Sequence, residues 1–225
     1  SVACTTCPSF CVKRMKTGYG DRTVIRDLSV DLPGGNITVI IGPNACGKST
    51  LLRTCGRLLQ PLDGDVTLGD ERVHTGSHKA LAKRLALLSQ GPIAPAGFLV
   101  EDLVALGRVP HQSFLKRWRD EDERATESAI ERTNLHDLRL REVTSLSGGQ
   151  RQRAWIGLAL AQSTPVLLLD EPTTFLDLSA QISLLDLTKS LNRVEGRTIV
   201  MVLHDLNLAA RYADQIVAMK DGEIA

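Results

Sequence analysis

The sequence predicts an α/β fold: a mainly parallel sheet covered by helices, an antiparallel β arm ahead of it, and a helical unit inserted into it. Three observations carry this. Short, nearly continuous apolar runs rich in branched residues, "NITVII" (Asn36–Ile41), "VLLLD" (Val166–Asp170) and "TIVMVLH" (Thr198–His204), read as strands buried on both faces. Helical segments alternate with the later strands, the pattern that builds a parallel sheet. From Gly91 the character changes, and no convincing strand appears until Val166.

Taken in order, residues 1–12 read as an irregular extension. Its cysteines Cys4, Cys7 and Cys11 have the spacing C-x2-C-x3-C. A metal site would need a fourth ligand and a defined fold around it, so reduced thiols at a ragged end are the plainer reading. Thr23–Leu32 alternates loosely with period two, and with Pro33-Gly34-Gly35 as its turn it reads as a β-hairpin arm. The strand Asn36–Ile41, a helix near Lys48–Leu58 and strands at Asp63–Leu68 and Leu85–Gln90 follow. The inserted unit holds helices over Val100–Leu106, Asp120–Thr133 and Gly149–Gln162. The core resumes at Val166 with helix Ser179–Arg193, strand Thr198–His204, helix Asp205–Tyr212 and strand Gln215–Lys220, and Asp221-Gly222 reads as a hairpin turn. The division is therefore an α/β core over 13–90 and 166–225, with a helical subdomain over 91–165.

The 225 residues, 43% of them apolar, suffice for one such domain with a full hydrophobic core. Lys and Arg number 27 against 26 Asp and Glu, a net charge of +1. That balance argues against duplex nucleic acid as the main partner, a contact that usually shows as a basic excess, and no nucleic acid is expected among the partners. No apolar run approaches the roughly 18 residues that suggest a membrane span, and the start lacks the basic-then-apolar order of a signal peptide. The chain reads as soluble and cytosolic; a partner would supply any membrane spans.

Two glycine-rich loops run into helices. "GPNACGKST" (Gly42–Thr50) matches G-x-x-x-x-G-K-[ST] between a buried strand and a helix. Glycines let backbone N–H groups curl around phosphate oxygens, and the helix end adds positive potential. Lys48 can reach the outer phosphates and the Ser49 hydroxyl can ligate Mg²⁺. Pro43, Asn44, Ala45 and Cys46 occupy the variable positions, with Cys46 a small neutral filler. Asp170 and Glu171 end an apolar strand at the sheet edge where this class binds ligands, placing one carboxylate for a metal and one for an attacking water. His204 ends another strand at that edge and suits a role at the terminal phosphate. The second loop is "SLSGGQRQRAWIGLAL" (Ser145–Leu160).

The set "GPNACGKST … Q … LSGGQ … VLLLDE … H" resembles the ATP-binding-cassette (ABC) ATPases, phosphate-loop NTPases, from about Lys13 onward. The resemblance implies ATP and Mg²⁺ as cofactors and assigns roles by position. Tyr19 stacks on adenine with Val24 beside it, and Gly42, Gly47 and Thr50 complete the phosphate loop. Gln90 touches Mg²⁺ and senses a membrane partner, and Asp170 stands on the Mg²⁺ side. Glu171 is the general base and His204 the switch histidine. Ser147, Gly148, Gly149 and Gln150 form the signature, which faces the terminal phosphate held by a second copy of the chain. Asp177 belongs to a loop crossing that dimer interface, where the bulky Phe175 departs from the commoner small-residue pattern. Two anion sites in one small domain thus serve one nucleotide, from different subunits.

"VEDLVALGRVPHQSFLKRW" (Val100–Trp118), with "LHDLNLAARYAD", resembles the ATPases of bacterial ferric-siderophore importers, and more loosely those of cobalamin and haem importers. This implies a peripheral subunit on the cytoplasmic face of the cell membrane, working with permease subunits and, indirectly, a substrate-binding protein. The loop Gly91–Leu99, with Ile93, Phe98 and Leu99, is the expected permease contact. The Val109-Pro110-His111 segment reads locally as a helix terminator with a surface histidine. An exporter ATPase and a non-transport ABC protein are the other classes. The family also implies a C-terminal helix beyond "KDGEIA".

Overall fold

The computed structural model describes residues 7–112, 118–174 and 176–225; Cys4, residues 113–117 of the insertion and Phe175 lie outside the described residues. Strands β1 (Phe10–Tyr19) and β2 (Arg22–Leu32) form a hairpin, followed by β3 (Ile37–Ile41) and helix α1 (Lys48–Cys55). Then come β4 (Asp63–Leu68), β5 (Glu71–Arg72), α2 (His78–Ala82) and β6 (Leu85–Leu88). The insertion contributes α3 (Val100–Ala105), α4 (Asp120–Arg132) and α5 (Gly148–Ala161). The chain continues through β7 (Val166–Leu169), α6 (Leu178–Glu195), β8 (Thr198–Val202), α7 (Leu206–Tyr212), β9 (Gln215–Lys220) and β10 (Glu223–Ile224).

The strands form two sheets. One is antiparallel, in the order β2-β1-β4-β5; the other has the order β10-β9-β3-β8-β7-β6, parallel except for the terminal β9–β10 pair. The central strands are apolar on both faces because each face meets a different layer. Ile37, Val39, Leu167, Leu169, Ile199 and Met201 pack toward the inserted helices, α6 and α7. Ile40, Val166, Leu168, Val200 and Val202 pack with α1 and the antiparallel sheet. Burying each such side chain contributes about 1.5–3 kcal/mol.

The arm differs from its expectation in two ways. Phe10, Cys11 and Val12 stand in β1, inside the stretch read as irregular, and the hairpin turn is Gly20-Asp21, with Tyr19 opposite Arg22. Pro33-Gly34-Gly35 instead carries the chain from β2 to β3. Arg14 has φ 47, and the register of β1 shifts between Val12 and Met15. That bulge breaks the period of two by which the strand would be read. Asp221 and Gly222, with φ 52 and 83, make the expected tight turn between β9 and β10. His111 is not a free surface histidine: its Nε2 lies 2.7 Å from the Gln162 carbonyl oxygen. Phe98 is half-buried against the core, so of the three loop residues expected at a partner surface Ile93 alone is fully exposed, at 89%. Among the described residues no group of three or more His, Cys, Asp or Glu could hold a metal ion, and Cys7 donates its thiol to the Gly196 carbonyl at 2.8 Å.

Candidate active site

Four strands of the parallel sheet deliver chemistry to one edge. β3 runs into the glycine loop, β7 into Asp170 and Glu171, β8 toward His204 and β6 toward Gln90. This is the carboxyl edge, where open α/β sheets bind ligands. The loop is shaped by Gly42, Ala45 and Gly47, at φ 147, 61 and 108. A Cβ on Gly42 would lie 2.1 Å from the Met219 carbonyl oxygen, so only glycine lets the loop pass this close to β9. Helix α1 begins with no side-chain cap, which leaves its first N–H groups for an anion. The Lys48 ammonium, on a residue 4% exposed, donates to the carbonyls of Gly42 and Pro43 at 2.8 Å each.

These elements enclose a cavity of about 710 Å³. Asn44, Ala45, Gly47, Lys48, Ser49 and Thr50 line one side; Gln90, Glu171 and His204 line another; Tyr19, Arg22 and Val24 close the end under the hairpin. Gly42 and Pro43 stand behind, holding Lys48, and Cys46 is buried.

The two carboxylates differ in environment. Asp170 is 1% exposed; its Oδ1 accepts the Ser49 hydroxyl at 2.7 Å. Its Oδ2 is buried without a hydrogen-bond partner among the described residues, with Arg53 Nε at 3.9 Å. Burial pushes the Asp170 carboxyl above the usual carboxylate range, against the opposing pull of Ser49 and Arg53. An orphaned carboxylate oxygen beside a hydroxyl is a hard-oxygen pair and fits Mg²⁺.

Glu171 sits at φ 51, a costly backbone conformation for a bulky residue, at the strand end. His204 Nε2 lies 2.8 Å from its Oε1, while the Gln90 amide donates to Oε2 at 2.5 Å and the Thr174 hydroxyl at 3.2 Å. Gln90 thus hydrogen-bonds Glu171 and lines the same cavity as Ser49. Tyr19, 44% exposed at the hairpin tip, accepts from Arg53 Nη1 at 3.3 Å.

The signature lies elsewhere. Ser147 caps α5: its Oγ accepts from Gln150 N at 3.3 Å, and the Gln150 side chain accepts from Ser147 N at 3.1 Å. Asp177 caps α6 through Ala180 N at 2.8 Å. Ser147 to Gln150 and Asp177 line a second cavity of about 650 Å³ that shares no lining residue with the first. A third groove, about 290 Å³, is lined by Ile93 and Trp155 and meets the first cavity at Gln90 and Glu171.

The model of the ABC transporter family matches residues 25–174. The chain belongs to the ABC transporter family. As a nucleotide-binding ABC cassette, an ATPase, it is 51% identical over 212 residues to a petrobactin import ATP-binding protein of Bacillus anthracis, covering 94% of this chain and 78% of that one. It is 55% identical over 210 residues to a probable siderophore transport system ATP-binding protein of Bacillus subtilis, covering 93% and 76%. Among solved structures, a bacterial ABC transporter cassette in dimeric form superposes with a TM-score of 0.86 at 27% identity, covering 96% of each chain. A putative metal-chelate type ABC transporter in an inward-facing conformation gives 0.83 at 29%, covering 97% of this chain and 82% of that one. The expected fold class, phosphate-loop α/β with an inserted helical unit, stands.

Three further residues of this ABC cassette lack a sequence motif: Arg22 lines the first cavity, while Arg53 and Thr174 stand behind it, Arg53 on Tyr19 and Asp170 and Thr174 on Glu171. Arg22 follows from the hairpin: with Tyr19 at a two-residue turn, its partner across the ladder faces the same cavity. Arg53 lies four residues after Ser49, on the same helix face. Thr174 had no signal, since its contact depends on the turn after Glu171, closed by Thr174 N on the Glu171 carbonyl at 3.3 Å.

Proposed function

We propose that this cassette powers import of an iron–siderophore complex through a separate membrane permease, by ATP-driven head-to-tail pairing of two copies. The observation that carries the pairing is the division of the machinery between two cavities with no lining residue in common. One presents a lysine, a catalytic carboxylate and a base shelf; the other presents a helix N-terminus. Phosphoryl transfer needs charge neutralised on several oxygens at once, which neither cavity supplies alone. The siderophore reading is supported by the relatives at about half identity, named for petrobactin and siderophore transport.

In this mechanism Lys48 exchanges its loop carbonyls for phosphate oxygens, and Tyr19 stacks on adenine with Val24 beside it. Ser49 and Asp170 would hold Mg²⁺, which when bound neutralises phosphate charge. Glu171 takes the proton of the attacking water, and His204 and Gln90, both on its carboxylate, orient it. The N–H groups that open α5 in the second copy complete the anion site, and Asp177 lies in the loop beside them. A peripheral place on the cytoplasmic membrane face follows from this role; no helix among the described residues is long and apolar enough to cross a membrane. The groove at Ile93 and Trp155, contiguous with Gln90 and Glu171, suits the permease contact.

Two variants test the split. Glu171→Gln is expected to bind ATP and dimerise while turnover falls by about 10²- to 10⁴-fold, the range of a general base. Ser147→Arg is expected to leave nucleotide affinity in the isolated chain unchanged while hydrolysis falls about 10²- to 10³-fold, as on loss of an oxyanion donor. Loss of affinity in Ser147→Arg would place the signature on the nucleotide of its own chain and end the two-copy reading. Restored growth on siderophore-bound iron in a cassette-deficient cell tests the cargo.

A further inference from the structure

One side chain bridges Tyr19, on the wall of the nucleotide cavity, and Asp170, which holds Ser49 of that wall from behind, and no motif singles it out. Arg53 is one turn beyond Ser49 on α1. Its Nη1 donates to the Tyr19 hydroxyl at 3.3 Å, and its Nε stands 3.9 Å from Asp170 Oδ2. The first contact reaches the base end of the cavity. The second reaches the carboxylate oxygen that has no hydrogen-bond partner. Tyr19 is partly exposed at the hairpin tip, and a donor on its hydroxyl supplies an anchor for the ring. Asp170 is fully buried as a side chain, and a buried carboxylate with a single hydroxyl partner is costly unless a cation stands near. The guanidinium is a planar fork that can serve both groups at once, as an ammonium cannot.

We propose that Arg53 is a positioning residue that couples Tyr19 to the Ser49–Asp170 pair: it fixes the Tyr19 ring for adenine and serves as the counter-charge at Asp170 that a divalent cation displaces. The inference rests on reading Tyr19 as the base shelf and Asp170 as the cation ligand. Arg53 and the Tyr19 hydroxyl then act through one contact, so removing both does no more harm than removing one. A cation at Asp170 replaces the charge Arg53 supplies, so it stabilises the protein more where Arg53 is missing.

The test has two arms. In the first, Tyr19→Phe, Arg53→Met and the double variant are titrated with a fluorescent adenine nucleotide without Mg²⁺. Each single change is expected to raise Kd about 3- to 10-fold, the worth of one hydrogen bond, and the double no further. Additive losses, or an unchanged Kd in Arg53→Met, overturn the coupling. Tyr19→Ala separates the two layers. Unchanged affinity there overturns the shelf reading and the coupling together; a loss there with none in Arg53→Met overturns the coupling alone. In the second arm the nucleotide-free proteins are melted with and without MgCl₂. Arg53→Met is expected to melt below the parent and to gain more from Mg²⁺. Arg53→Lys, which keeps a charge but loses the fork, should follow the parent in Mg²⁺ response and Arg53→Met in nucleotide affinity. An equal Mg²⁺ response in Arg53→Met and parent overturns the counter-charge role. An undiminished response in Asp170→Asn puts the cation elsewhere and does the same.

Discussion

Among the described residues the α/β core and the helical unit each bury one aspartate, and the two are treated in opposite ways. Asp122, in the helical unit, is 3% exposed; its Oδ1 accepts Arg108 Nε at 2.9 Å and its Oδ2 the Arg119 backbone N–H at 3.1 Å. Asp170, at the sheet edge, has the Ser49 hydroxyl on one oxygen and no hydrogen bond on the other. Burial works to raise both carboxyls. At Asp122 the hydrogen bonds from Arg108 and Arg119 outweigh it and hold the group below the usual carboxylate range; at Asp170 burial prevails and the group sits above it. The difference separates architecture from function. A buried charge with all its partners fixes a fold, whereas a buried charge left short of partners marks a site built for something that arrives.

The Asp122 side of the comparison can be broken first, because it carries the larger effect. Arg108 also donates to the Ala161 carbonyl at 2.8 Å and the Ser163 hydroxyl at 3.2 Å. The pair therefore ties the start of α4 to the end of α5, whose other end carries the signature. Asp122→Ala leaves a buried guanidinium without its carboxylate and is expected to cost about 3–5 kcal/mol in chemical unfolding. Its folded pKa lies below the unfolded value, so Asp122 contributes stability that is present above about pH 4 and lost as pH falls through the folded pKa. The variant should lack that acid-side loss. Unchanged stability in Asp122→Ala would mean that complete pairing does not distinguish architecture here.

The same contrast governs what the sequence made legible. Lys48 and Ser49 at the start of α1, and Asp170, Glu171 and His204 just past strand ends, meet at one sheet edge, and their spacing along the chain makes that placement legible in the sequence. Helices α4, α5 and α6 lie within two residues of their expected spans, whereas α1 ends at Cys55, short of the expected Leu58, where Gly56 stops it; caps such as Ser147 and Asp177 mark the starts of α5 and α6. Strand β1 was only partly legible, since the bulge at Arg14 hides its alternation. The pairings Arg108–Asp122, Arg53–Tyr19 and Thr174–Glu171 were not legible at all. Each joins side chains whose meeting depends on tertiary placement, and the charged ones look on paper like ordinary surface residues. Phe98 failed for the converse reason: an apolar residue in a poorly periodic loop reads as exposed, although the fold turns it inward.

Asp170→Asn sharpens the comparison from the other side, with a smaller effect of opposite sign. The carboxamide keeps an oxygen for the Ser49 hydroxyl and removes a charge that burial disfavours. Without nucleotide the variant is expected to gain about 0.5–2 kcal/mol while losing Mg²⁺-dependent hydrolysis, the usual cost of a functional site in stability. The pH dependence fixes the cause. A folded pKa raised above the unfolded value means that the folded state holds the proton more tightly. Parent stability therefore falls as pH rises from about 4, the unfolded value, through the folded pKa, and the penalty is complete above it. The advantage of Asp170→Asn should be full at neutral pH and shrink toward pH ~4, read as the difference between melting curves of the two proteins across that range. A difference that stays flat with pH, or a variant less stable than the parent at neutral pH, would show that Ser49 and Arg53 already satisfy the charge. Asp170 would then belong with Asp122, as a fully partnered carboxylate holding two parts of the chain together.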